Sequence, residues 1–158
     1  MKNRPWKNYV FFIAVTEAVG VFAGIIIKDG VKIYSEAITK PPLSPPSWVF
    51  PVMWSVLYAL MGYCAARVSL SKPSKDRRRA LYYYAAQLAF NFLWSIIFFN
   101  AQAFLIAFIW LAILWVLIFI TMRQFGKIDS LSGKLMIPYL IWVSFAGYLN
   151  LGVWLLNR

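Results

Sequence analysis

The sequence contains no histidine and a single cysteine, Cys64. Imidazole metal sites, histidine-ligated haem and Ser-His-Asp triads are therefore excluded. One cysteine can form neither an intrachain disulfide nor a thiolate cluster. Glycine-rich phosphate-binding loops are also missing. We therefore expect no metal site and no cofactor, and no conventional set of catalytic residues.

Charged residues are scarce, at 13% of the chain, whereas 62% of its residues are hydrophobic and 19% aromatic. A soluble domain carries about 25% charged residues, so the composition excludes a soluble globular protein and a disordered one. The net charge of +11 comes from sixteen lysines and arginines against five acidic residues. These basic residues sit in short clusters between long apolar runs, which is typical of membrane loops and not of a nucleic-acid-binding surface.

The apolar runs predict an all-α membrane protein with five transmembrane helices in one domain. A helix needs about 20 apolar residues to cross the hydrocarbon core. The run over 80–122 would form one helix about 65 Å long at 1.5 Å per residue, so it must fold back. Asn100 and Gln102 mark the turn. The predicted spans are about 8–27, 48–70, 80–99, 103–122 and 135–156.

The distribution of basic residues predicts the orientation of these spans. Most of them fall before the first span and in the second and fourth loops, including Lys2, Arg4 and the run Arg77–Arg79. The positive-inside rule then places the N-terminus in the cytoplasm and the C-terminus outside.

The first loop is predicted to run from Lys28 to about Ser47. Four prolines make it stiff and extended, because proline fixes φ and removes a hydrogen-bond donor. They are Pro41, Pro42, Pro45 and Pro46. Such a loop can act as a lid over the helix ends or as a rigid connector, and composition does not decide between them.

Polar and aromatic residues share one face on several predicted spans. Polar groups are costly in hydrocarbon, so these faces should point into the bundle. They carry Glu17, Gly20 and Gly24 on the first span, Trp54 and Tyr58 on the second, Gln87, Asn91, Trp94 and Ser95 on the third, and Tyr139, Trp142, Ala146 and Asn150 on the last. Together they predict a pocket for a large, flat, mostly apolar ligand. The alternative for each residue is interhelical bonding, worth about 0.6–2 kcal/mol.

Four stretches of the chain resemble the TspO family, the bacterial relatives of the mitochondrial translocator protein. They are Tyr34 with Lys40–Phe50, then Trp54–Tyr58, then Gln87–Asn91, and finally Pro138–Trp142 with Asn150. Their order and spacing agree with the family along essentially the whole chain.

The resemblance implies a five-helix bundle in a bacterial cell membrane, with an internal cavity that is capped by the first loop and binds porphyrins such as protoporphyrin. The ligand contacts that it implies are Tyr34 in the lid, Trp54, Asn91, Trp94, Trp142 and Ala146. Tyr58, Tyr139 and Asn150, which lie on the same polar faces, complete the predicted ligand site.

Three further roles stay open at this point. Some bacterial members assist light-dependent porphyrin breakdown, in which Trp54 and Trp142 would be the residues involved. Transport of tetrapyrroles is the second, although five spans do not divide into two equal repeats. A homodimer is the third, through Ala85 and Ala89 by resemblance, or else through Gly20 and Gly24.

Two positions depart from the family pattern. Leu43 stands where the family often has an aromatic residue between the paired prolines, which removes a stacking contribution from the lid. Leu151 stands where the family's cholesterol-recognition segment has a tyrosine. We therefore expect no cholesterol binding through that segment.

Overall fold

The computed structural model describes residues 5–158, and within that range the chain folds into helices without any strand. Lys2 and Arg4, which contribute to the charge argument, lie outside the described residues. The helices are α1 (Pro5–Ala37), α2 (Val49–Ser69), α3 (Lys75–Ser95), α4 (Phe104–Ile128), α5 (Ser130–Leu135) and α6 (Ile137–Leu156). Within residues 5–158, five helical segments are long and apolar enough to cross a membrane. The short α5 and α6 count as one of them, since α5 runs directly into α6. The predicted five-helix membrane bundle is thus confirmed, and the chain is an integral multi-pass membrane protein.

Helix α1 is longer than the predicted span, since its 33 residues continue to Ala37. The first loop therefore covers residues 38–48, and Tyr34 lies on α1 rather than in the loop. The charges of Lys28 and Lys32 end the apolar run without ending the helix. Gly30 in this extension packs so closely on the carbonyl of Phe99 that a Cβ would come within 2.5 Å of its oxygen. Hydropathy identified the apolar run but not the end of the helix.

The chain reverses where the sequence analysis places the turn between the third and fourth spans. A π-helical turn, Ile96–Asn100, extends α3. Gln102 then adopts a positive φ of 50°, and α4 begins at Phe104. The side-chain amide of Asn100 donates to the carbonyl of Ile26 at 3.2 Å, so this turn is attached to α1.

The helices pack in a defined order around the interior. Helix α1 lies along α2, and its second half meets the π-helical turn. Helix α3 pairs with α4, and α4 pairs with α6. Helix α6 has its close backbone neighbours on α4, whereas it meets α2 chiefly through aromatic side chains. We call the end of the bundle that carries loop 38–48 the lid end, and the end that carries Arg67 the basic end.

Close approach of α1 and α2 depends on Gly62. A Cβ at this position would lie 2.6 Å from the Cα of Ile13 and 2.8 Å from the carbonyl oxygen of Phe12. Both neighbours are backbone atoms, which cannot move aside independently of the helix. Glycine at position 62 therefore sets the spacing between the first two helices.

We expect Gly62→Ala to destabilise the bundle by about 1–3 kcal/mol, the usual cost of overpacking. The matched control is Gly24→Ala on α1, where a Cβ would meet no atom within 4 Å. Alanine favours helix over glycine by about 1 kcal/mol, so the control should be neutral or stabilising. Thermal unfolding in detergent measures both, and equal midpoints for the two variants would contradict the packing argument.

An ion pair at the basic end joins α2 to the connection between α4 and α5. Arg67 binds Asp129 in a bidentate manner, with Nε to Oδ2 and Nη2 to Oδ1 both at 2.8 Å. Asp129 also caps α5 by accepting the backbone N–H of Ser132 at 2.8 Å. The hydrogen bonds from Arg67 hold the pKa of the Asp129 carboxyl well below its usual range. The charged form of Asp129 is therefore the one that stabilises the fold.

Because the pKa of Asp129 is lowered on folding, its stabilisation is present above about pH 4 and is lost as the pH falls below that value. We expect Asp129→Asn to cost about 1–2 kcal/mol at neutral pH, from a lost cap and a partly exposed ion pair. The variant should also lose part of the acid sensitivity of the thermal midpoint between pH 5 and pH 2. Asp29→Asn, at an exposed position of α1, is the control. An Asp129→Asn variant with the same pH profile as the parent would show that the pair does not stabilise the fold.

Candidate functional site

The aromatic and amide residues of α2, α3 and α6 meet in the lid-end half of the bundle. The ring centroid of Trp54 lies 5.6 Å from that of Tyr58, 6.4 Å from that of Trp94 and 6.3 Å from that of Tyr139. These rings come together because each of the three helices turns its face of aromatic and polar residues toward the interior. The structure thus brings Tyr58, Trp94 and Tyr139, predicted site residues of three helices, together around Trp54.

A chain of hydrogen bonds runs through the centre of this group. Tyr58 donates its hydroxyl proton to Oδ1 of Asn91 at 2.6 Å, and Nδ2 of Asn91 donates to the hydroxyl of Tyr139 at 2.9 Å. The hydroxyl of Tyr139 donates to Oε1 of Gln87 at 2.8 Å, and Nε2 of Gln87 reaches the sulfur of Met61 at 3.5 Å. Three helices are therefore joined through one asparagine side chain.

A second pair of bonds joins α3, α6 and α4. Nε1 of Trp94 donates to Oδ1 of Asn150 at 3.2 Å, and Nδ2 of Asn150 donates to the carbonyl of Phe104 at 2.8 Å. Asn91, Tyr139 and Asn150 each keep only 1% of their surface accessible. This part of the interior is filled by side chains, and its polar atoms take the interhelical role that the sequence analysis gave as the alternative.

The indole of Trp142 differs from those of three other tryptophans. The indole N–H groups of Trp94, Trp110 and Trp115 each donate to an oxygen of the protein. Among the buried side-chain nitrogen and oxygen atoms of residues 5–158, Nε1 of Trp142 is the one that has no hydrogen-bond partner. A buried donor left unpaired costs about 1–3 kcal/mol, so such groups are rare and call for an explanation. An acceptor atom of a bound ligand would remove this cost.

Trp142 lies on the contact between α2 and α6, which we call the seam and define by Phe50, Trp54, Tyr139 and Trp142. The four rings form two edge-to-face pairs. Phe50 lies 6.1 Å from Trp142, and Trp54 lies 6.3 Å from Tyr139. Phe50, Trp54 and Trp142 are only half-buried, unlike the hydrogen-bonded core beneath them. Ala146, one turn beyond Trp142, is buried at 7% exposure. The seam is thus more exposed than the hydrogen-bonded part of the predicted site.

Tyr34 joins the group indirectly. Its ring packs at 5.6 Å from Phe98 and 5.5 Å from Phe99, and the ring of Phe98 stacks on Trp94 at 5.3 Å. The ammonium of Lys40, at the start of loop 38–48, lies 5.2 Å from the Tyr34 ring. Tyr34 therefore supports the site through the π-helical turn and holds the loop through a cation–π contact.

Loop 38–48 is fastened to the last turns of α6. The backbone N–H of Thr39 donates to Oδ1 of Asn157 at 3.0 Å, and Nδ2 of Asn157 donates back to the carbonyl of Thr39 at 2.8 Å. Tyr148 donates its hydroxyl to the carbonyl of Pro42 at 2.8 Å. We call these three bonds the latch.

The latch is completed by a packing contact. Pro41 is buried against Gly152, where a Cβ would lie only 2.6 Å from the Cβ of the proline. Because glycine has no side chain, the surface of α6 at this position leaves room for the proline ring. The loop therefore rests on α6 and is more than a connector between α1 and α2.

Sequence reasoning missed Phe50 as a site residue and missed the latch altogether. Phe50 lies one turn before Trp54, so the helical spacing of α2 could have identified it. The bonds between Thr39 and Asn157 join positions 118 residues apart, and no local pattern signals them. Within residues 5–158, no group of three histidine, cysteine, aspartate or glutamate residues is arranged to hold a metal.

Removal of the Asn91 side chain should leave the hydroxyls of Tyr58 and Tyr139 without their partner. We expect Asn91→Ala to cost about 1–3 kcal/mol of stability through these unpaired groups. Asn100→Ala, at an exposed amide with one long bond, should cost less than about 0.5 kcal/mol. Thermal unfolding in detergent compares the two, and an equal loss in both variants would refute a central role for Asn91.

Comparison with known proteins gives consistent matches along the chain. The sequence matches the model of the TspO/MBR family over residues 12–155. It is 40% identical over 149 residues to "Protein CrtK" of Rhodobacter capsulatus, covering 94% of this chain and 91% of that protein. It is 36% identical over 155 residues to "Tryptophan-rich sensory protein" of Cereibacter sphaeroides, covering 98% and 94%. It is 32% identical over 157 residues to "Translocator protein" of Ovis aries, covering 98% and 92%.

Proposed function

The chain belongs to the TspO/MBR family, and from that premise we propose that it binds flat tetrapyrroles such as protoporphyrin at the seam between α2 and α6. In this proposal the protein is a membrane receptor or carrier of the tryptophan-rich sensory type. The ligand ring stacks on the indoles of Trp54 and Trp142, and an oxygen at its edge meets the indole N–H of Trp142.

The observation that carries this proposal is the unpaired Nε1 of Trp142. Beside it, Phe50 and Trp54 are half-buried and supply aromatic surface. Large aromatic rings stack favourably on a flat conjugated ligand. An indole N–H is a donor only, so the matching ligand atom is an acceptor such as a carboxylate or carbonyl oxygen. Protoporphyrin offers both a flat ring and carboxylates.

The donor chemistry of the site suits a metal-free porphyrin. The chain has no histidine to bind iron. Its one thiol, Cys64, is completely buried on α2, two to three turns from Trp54 toward the basic end. Methionine, tyrosine and amide groups near the site are engaged within the protein. The protein residues therefore recognise the ring and its edge rather than a central metal.

The proposal includes an orientation in a bacterial cell membrane, with the basic end in the cytoplasm. Arg123, Lys127 and the run Arg77–Arg79 support it, because they gather at the ends of α3 and α4 that lie at the basic end. The positive-inside rule retains such residues on the cytoplasmic side. The seam and the latch then lie in the outer half of the membrane.

The proposal also includes a homodimer through α3. One face of this helix is exposed and carries small residues between larger apolar ones, which are Tyr82, Ala85, Ala89 and Leu93. The alternative face on α1 is less suitable, because the Tyr58 ring already covers Gly20. Small residues let two helices approach closely in lipid.

Titration of the protein in nanodiscs with protoporphyrin, followed by quenching of tryptophan fluorescence, tests the binding. We expect saturable binding in the parent chain. Trp142→Phe keeps the aromatic ring and removes the N–H, and should raise Kd about 5–10-fold, equivalent to one hydrogen bond of about 1–1.4 kcal/mol.

The control is Trp115→Phe, which removes an indole on the lipid-facing side of α4 that donates to Ser144 at 2.8 Å. Its Kd should stay within about twofold of the parent value, since a surface change away from the site has little effect. Non-saturable quenching in the parent, or equal affinity of the parent and Trp142→Phe, would reject the proposed site.

A further inference from the structure

We propose that the ligand reaches its site sideways from the bilayer, through the seam between α2 and α6, while loop 38–48 stays latched on α6. This inference rests on the proposed function, because it names the route by which the same ligand arrives. It also limits the ligands to molecules that dissolve in the membrane.

The seam is the weakest helix contact around the site. Helix α6 is hydrogen-bonded to α3 through Asn91 and Asn150 and to α4 through Phe104 and Ser144. Among the hydrogen bonds of residues 5–158, none joins α2 directly to α6. The backbones of these two helices also stay apart, and ring edges fill the space between them.

Aromatic rings in edge contact can make way without the loss of a polar interaction. A rotation of the Phe50 and Trp142 rings about their side-chain bonds opens a gap between α2 and α6 at the level of these two residues. No hydrogen bond of Trp142 is lost, since its Nε1 has no partner. Ring rotations are faster than the opening of a hydrogen-bonded segment. The seam can therefore widen locally while the core around Asn91 stays intact.

The route from the aqueous side, past loop 38–48, requires more interactions to be broken than the route through the seam. A ligand coming past loop 38–48 must displace it from α6. That movement breaks the two bonds between Thr39 and Asn157 and the bond from Tyr148 to Pro42. It also breaks the packing contact between Pro41 and Gly152. The structure thus opposes movement of the loop more than movement of the seam.

A row of aromatic rings leads from the bilayer surface to Trp142. Phe145 lies 5.7 Å from Trp142, and Tyr148 stacks on Phe145 at 6.2 Å. Tyr148 is 44% exposed, and Phe145 is half-buried. A flat apolar molecule that enters from the bilayer has to pass the ring of Phe145, which packs against Trp142 and hinders rotation of the indole. This row borders the seam on α6 and runs up to the latched loop.

A disulfide across the latch separates the two routes. In a Cys64→Ala background, the pair Thr39→Cys and Asn157→Cys replaces residues whose atoms are in direct contact. Stopped-flow quenching with protoporphyrin in nanodiscs gives the association rate of the oxidised and reduced protein. We expect the two rates to agree within about twofold. An oxidised form that associates more than tenfold slower and recovers on reduction would overturn the proposal.

Variants at Phe145, whose ring packs on Trp142 beside the seam, test the lateral route whether or not the disulfide forms. Phe145→Ala should raise the association and dissociation rates together, at least fivefold, and leave Kd within about twofold. Phe145→Trp should lower both rates. Phe119→Ala on α4 removes an aromatic ring that faces lipid away from the seam and should change neither rate. Unchanged rates in both Phe145 variants would overturn the lateral route.

The equilibrium and kinetic results distinguish the two proposals. Saturable binding together with a slow oxidised form would retain the proposed function and reject the route. Absence of saturable binding in the parent would reject both. Saturable binding with equal rates in the locked and unlocked protein, and faster exchange in Phe145→Ala, would support both.

Discussion

The side chain of Asn91 is the central hydrogen-bonding group among the helices in the interior of the bundle. A bilayer offers no water to polar groups, so donors and acceptors within the span must pair inside the protein. The amide of Asn91 accepts from α2 and donates to α6, and the chain of bonds continues to Gln87 and Met61. This places α3 at the centre of the polar contacts, while α4 is bonded to α3 and α6 through separate hydrogen bonds. The position of the site follows from this arrangement, because the rings of Trp54 and Tyr139 are held above the same network.

The site consequently has two parts with different physical character. Its deeper part is a closed network in which every polar atom described above has a partner. Its outer part, at the seam, contains half-buried rings and one unpaired donor on Trp142. Under the proposed function, the hydrogen-bonded network would support a flat ligand bound against the aromatic rings of the seam. The structure thus separates the hydrogen-bonded residues that maintain the fold from the half-buried rings beside them.

Much of the fold could be predicted from the sequence, for identifiable reasons. Long apolar runs and the polar pair at Asn100 and Gln102 gave five spans, since hydrocarbon thickness dictates their length. Helical spacing correctly assigned Trp54, Asn91 and Trp142 to inward faces. The same spacing could not say whether Asn91 binds a ligand or two tyrosines, because both roles require an inward amide. The predicted end of the first helix was wrong, because the charged continuation of α1 carries no hydropathy signal.

Asn157 links the end of a helix to the behaviour of the loop above the site. Its backbone N–H and its side-chain Nδ2 both bond to the carbonyl of Val153 and so terminate α6, while the same side chain grips Thr39. Fraying of the final helical turn would therefore also release Thr39, at the start of the loop, from α6. The mobility of loop 38–48 therefore depends on a helix terminus in a distant part of the chain as well as on the stiffness of its own prolines.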